Sequence, residues 1–143
     1  MKKIIEKPYI AFLALIPIII SIGLLNKDKV FDINVHDIYF VITRIHLSIF
    51  ISFLFLLISL GYWVIVVFKR RLFRWLTIIH LIITYGSLLF IFIISIDIRN
   101  QYNPESYDLS DQNMLLTFGV IIFLFGQIFY SINILLALLR RKN

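Results

Sequence analysis

The chain has 143 residues, 61% of them hydrophobic and 16% aromatic, and contains no cysteine. A mean hydropathy of +0.96 leaves too little polar surface to clothe a water-soluble fold, so the composition is that of an integral membrane protein. The net charge of +6 does not argue for nucleic acid, because the basic residues sit at the ends of apolar runs, and the missing cysteines exclude a disulfide framework, a thiolate metal site and a lipoprotein anchor.

Four apolar runs follow in order: Tyr9 to Leu25, Tyr39 to Phe68, Trp75 to Ile96 and Met114 to Leu139. Each is long enough at about 1.5 Å per residue to cross a hydrocarbon core of about 30 Å. They predict a single all-α membrane domain over 1–143, with helices near 9–25, 39–68, 75–97 and 113–139. Strands are not expected, because the runs are continuous and too long for the alternating segments of a barrel.

The first run follows a basic start but lacks a small-residue cleavage pattern after Leu25, so it reads as a span rather than a signal peptide. Pro8 suits the first turn of its helix, and Pro17 falls inside. The second run is preceded by His36 and Asp37 and contains Arg44 and His46. If the helix begins at Tyr39, His46 lies about 10 Å below its start. Asp37 and Arg44, seven apart, would then share a helical face, which makes Asp37 the expected ion-pair partner of Arg44. An arginine and a histidine inside a span are costly and mark candidate functional positions. The third run carries His80 six residues after Arg74, on a different level from His46, which argues against both ligating one iron within a subunit. A polar, turn-rich stretch from Arg99 to Gln112 leads to the fourth run, where Ser110 or Asp111 is a candidate helix cap and Gly119 and Gly126 form a small-residue stripe suited to close helix contact.

Charge orients these runs. Ten of the 14 Lys and Arg residues, among them Lys2, Lys3, Lys7, Lys69, Arg70, Arg71, Arg74, Arg140, Arg141 and Lys142, fall at the two termini and in the connection between the second and third runs. The other connections carry Asp28, Asp32, Asp37, Asp97, Glu105, Asp108 and Asp111. By the positive-inside rule both termini belong in the cytoplasm, in a cytoplasmic (inner) membrane.

The order His36-Asp37-Ile38-Tyr39-Phe40-Val41-Ile42-Thr43-Arg44-Ile45-His46 resembles the start of the tenth helix of subunit I of haem-copper oxidases. That motif reads histidine, aspartate, threonine, tyrosine, aromatic, two valines, alanine, histidine, phenylalanine, histidine. Trp75-Leu76-Thr77-Ile78-Ile79-His80 with Gly86 resembles the eleventh helix of the family. Tyr102, Pro104, Tyr107 and Asp108, followed by Gln112-Asn113-Met114, resemble its last loop and twelfth helix. The resemblance is collinear over nearly the whole chain and implies one four-helix arc of that subunit. It places His36 and Asp37 near haem propionates and a bound magnesium, and His46 at the ligand of a low-spin haem. Arg44 stands where the family has the ligand of its oxygen-reducing haem, and a guanidinium has no lone pair to give iron. The copper ligands belong to helices absent from this sequence, so no copper is expected and the chain alone is not expected to be an oxidase.

The expected function is a non-catalytic component of a respiratory or other membrane complex, in contact with lipid and with other subunits. A first alternative is a b-type haem protein using His46 across an oligomer interface, with Arg44 clamping propionates. A second is a proton or ion pathway through Arg44, His46 and His80. The threefold arrangement of arcs in the family adds the expectation of a homotrimer, with a dimer also possible through His46 of a symmetric mate.

Overall fold

The computed structural model describes residues 7–35, 38–100 and 109–140. Its elements are α1 (Pro8–Leu25), β1 (Val30–Val35), β2 (Ile38–Thr43), α2 (Arg44–Val67), α3 (Arg74–Asn100) and α4 (Leu109–Leu139). All four helices are long and apolar enough to cross a membrane, with mean hydropathies from 2.2 to 2.5 over their spans, so the chain is a multi-pass membrane protein. Pro8 takes the first turn of α1, where its missing donor leaves no bond unmade.

The second span departs from the sequence expectation. Residues 38–43 are not helical; they form β2, paired antiparallel with β1 from Val30 opposite Thr43 to Val35 opposite Ile38. The helix starts at Arg44, after Thr43 in an extended conformation (φ −65°, ψ 144°). A helix over 39–68 would have run to about 45 Å, well beyond the hydrocarbon thickness, whereas the observed 24 residues run to about 36 Å. The surplus is rich in β-branched residues (Val41, Ile42, Thr43), and it finds a partner strand of the same kind in Val30–Val35. The Arg44 N–H donates to the Lys29 carbonyl at 2.9 Å and so closes the base of the hairpin against the start of α2. β1 lies alongside α4.

The helices form two antiparallel pairs. In the first, Gly23 of α1 meets Ser48 of α2, where any Cβ would overlap the serine side chain, and the Ser59 hydroxyl donates to the Tyr9 carbonyl at 2.9 Å. In the second, Gly119 faces Phe90 and Ile91, and Gly126 faces Ile83 and Thr84, so the glycine stripe of α4 lets α3 approach closely, as its spacing predicts. The pairs join around Phe12, Phe55, Ile58, Tyr62, Leu81 and Phe123. Phe12 is central: its ring meets Phe55 edge-on at 5.1 Å and stacks on His80 at 5.3 Å. The turn from α2 into the next connection is a Schellman closure, with Lys69 N–H donating to Val66 O and Arg70 N–H to Ile65 O, each at 3.0 Å. Lys69 takes its left-handed position at φ 52°.

Candidate functional site

Two groups of polar residues stand out, at opposite ends of the bundle. The first is buried between all four helices in the half nearer the 68–73 connection. His80 is fully buried. Its Nε2 lies 3.3 Å from Gln127 Oε1 and its Nδ1 2.9 Å from the Tyr62 hydroxyl. The amide of Gln127 donates to Phe123 O at 3.1 Å and to Thr84 Oγ1 at 3.4 Å, so its oxygen is the atom turned to the ring. The imidazole must therefore donate from Nε2, and its Nδ1 accepts from Tyr62 when the ring is neutral. One turn nearer the connection, Asn133 donates to Thr77 Oγ1 at 2.8 Å and accepts the Phe73 N–H at 3.0 Å. Tyr130 packs edge-on against Tyr62 at 5.1 Å and over His80 at 5.5 Å. Its hydroxyl fills the space that a side chain at Gly61 would need.

Each of these positions follows from helical register. Thr77, His80, Thr84 and Ser87 recur at three- and four-residue spacing on α3 and are all buried, forming a polar stripe within an apolar helix. Leu116, Gly119, Phe123, Gly126, Asn133 and Ala137 give α4 its buried face. In lipid such polar groups hold helices together, because no water competes for their bonds. Of this cluster the sequence by itself points to His80. The spacing of Thr77, His80, Thr84 and Ser87 carried a signal, whereas the pairing with Tyr62, Gln127 and Asn133 depended on helix packing. Among the described residues, the buried hydroxyls of Ser52 and Tyr85 have no hydrogen-bond partner.

The second group is the one the sequence placed at the centre of interest. His46 is the third residue of α2, about 3 Å along the axis from its start rather than 10 Å inside a helix beginning at Tyr39. It is exposed, and its Nδ1 lies 2.6 Å from the Thr43 hydroxyl. Arg44 is half-buried at the helix start, and its carbonyl accepts from Ser48 Oγ at 2.8 Å. The shared helical face of Asp37 and Arg44 does not exist, because residues 38–43 between them are extended. His36 and Asp37 themselves lie outside the described residues. So do Tyr102, Pro104 and Tyr107, while α4 starts at Leu109, which puts Ser110 and Asp111 inside its first turn rather than before it.

His46 and the His80 cluster are far apart. Tyr62, which binds His80, lies 16 residues beyond His46 on the same helix, a rise of about 24 Å. His80 has both nitrogens engaged, so among the described residues His46 is the one exposed imidazole. His46 and His80 of one chain therefore do not ligate one haem iron together. Among the described residues no three His, Cys, Asp or Glu side chains stand close enough to hold a metal ion. Comparison with known proteins adds no further identification: no family model, no curated protein and no solved structure matches the chain.

Proposed function

We propose that this chain is a non-catalytic structural component of a larger membrane complex, seated in the cytoplasmic membrane with both termini inside, and that its polar interior serves to lock four helices in register. The observation that carries this reading is the closure of the interior network. Both nitrogens of His80, the amide of Gln127 and both ends of the Asn133 amide bond to groups of the same chain. A proton or ion route needs carriers spaced along the path. The spans 8–25, 44–67, 74–94 and 114–139 contain no Asp or Glu, and about 24 Å of rise separates His46 from the His80 cluster. The resemblance of the chain to one four-helix arc of a twelve-helix subunit supports a place beside other subunits.

The haem alternative keeps one observation in its favour. Thr43 engages Nδ1 of an exposed His46, which leaves Nε2 as the outward nitrogen, and ligating histidines are commonly oriented through their other nitrogen in this way. Among the described residues the chain supplies a single such ligand, and this reading places the second on another copy or a partner.

One preparation separates the two. The tagged chain is purified from native membranes in mild detergent, its co-purifying proteins are quantified, and a reduced-minus-oxidised absorption spectrum is taken beside His46→Ala. The structural reading expects stoichiometric partners and a flat spectrum. A low-spin haem band lost in His46→Ala would replace it with the haem reading, and a chain that migrates alone with no pigment would end both.

A further inference from the structure

We propose that the corner between the 68–73 connection and the C-terminal end of α4 seats the headgroup of an anionic phospholipid, its phosphate held by Lys69, Arg71 and Arg140. This corner is built by tertiary contacts. The Arg70 guanidinium donates through Nη1 to the carbonyls of Leu138, at 3.0 Å, and Arg140, so it covers the negative end of the α4 dipole and ties the connection to it. Arg140 is held in turn with its guanidinium 5.3 Å from the centre of the Phe73 ring, while Phe73 is anchored by its N–H on Asn133. Arg70 and Arg140, 70 residues apart in the sequence, are thereby brought to one corner.

Lys69 supplies an independent pointer. It occupies the left-handed position of the Schellman turn (φ 52°), where glycine fits without steric cost and a lysine is conformationally disfavoured. Lys69, Arg71 and Arg140 are all exposed. No described residue at this end is acidic: Asp28, Asp32, Asp97 and Asp111 all belong to the other end of the bundle, and Glu6 lies outside the described residues.

The level of the corner selects the anion. It lies where the apolar spans of α2 and α4 end, and Trp75, 79% exposed, stands beside Phe73, 38% exposed, as aromatic side chains do at the headgroup layer. A phosphodiester with an uncompensated charge, carried on acyl chains that cover these rings, matches both the charge and the depth.

The test uses the full chain exchanged into nanodiscs of equal parts phosphatidylglycerol and phosphatidylcholine, then released into mild detergent and examined by native mass spectrometry for retained lipid. The wild type should retain phosphatidylglycerol preferentially. Arg140→Gln and Lys69→Gly should each lower that preference about five-fold, and Lys27→Gln at the opposite end should leave it unchanged. Lys69→Gly should at the same time raise the melting temperature, which separates loss of lipid from loss of fold. Equal retention of the two lipids by the wild type, or an unchanged preference in both corner variants, would overturn the proposal. So would complete displacement of the lipid by millimolar inorganic phosphate, which would identify a free-anion site.

Discussion

The buried network makes a quantitative prediction for His80. Replacing it by phenylalanine keeps an aromatic ring against Phe12 and Tyr130 but removes two hydrogen bonds, the 2.9 Å contact with Tyr62 and the 3.3 Å contact with Gln127. Hydrogen bonds between membrane helices average about 0.6 kcal/mol and reach about 1.7 kcal/mol. The short bond belongs near the upper value and the long one near the lower, so the two together contribute about 2 kcal/mol. Gln127 Oε1 is also left buried and unpaired, which adds to the cost. Gln127→Leu removes the same contact from the other side, along with the bonds to Thr84 and Phe123. In the double variant His80→Phe/Gln127→Leu neither partner is stranded, so its loss should fall short of the sum of the single losses by about 1 kcal/mol. Reversible unfolding in mixed detergent micelles, read by tryptophan fluorescence, measures all four corners of this cycle. Strict additivity would refute the reasoning, since it would mean that His80 and Gln127 do not share a bond.

Other positions give sharp contrasts. Gly126→Ala places a Cβ 2.9 Å from Ile83 Cγ2 and 3.3 Å from Thr84 Oγ1 and should destabilise by about 1–3 kcal/mol. Gly86→Ala, which meets nothing within 4 Å, should stabilise by up to about 1 kcal/mol through helix propensity; equal melting temperatures for the two variants would count against the α3–α4 packing. Gly61→Ala must displace the Tyr130 hydroxyl, and a variant with unaltered stability would show that Tyr130 does not pack there. In the hairpin, the bond from Arg44 to the Lys29 carbonyl sets the ladder phase, so that Ile42 pairs through its N–H with Phe31 and Val41 faces outward. Val41→Pro should therefore be tolerated and Ile42→Pro should release the hairpin, with limited proteolysis between residues 28 and 43 as the readout.

The sequence alone determined the class of this molecule. Four runs of apolar residues, each within the range of lengths that spans a hydrocarbon core, admit no solution but spanning helices, because an unpaired backbone group in lipid costs several kcal/mol. Charge at the run ends and the seven-residue spacing of Gly119 and Gly126 were equally legible, since both act through the local chain. The start of the second span was not, because Tyr39 to Thr43 are as apolar as the helix that follows. Only pairing with the strand 30–35, a contact between different parts of the chain, decided that residues 38–43 are extended. The same holds for the interior site. His46 attracted notice as a histidine at a span, yet it lies exposed at a helix end, while His80, Gln127, Tyr62 and Asn133 come from three helices and meet only once those helices are packed. Residue type and spacing dictate what one helix can present; which polar groups then satisfy one another is settled by the register between helices, and that belongs to the tertiary structure.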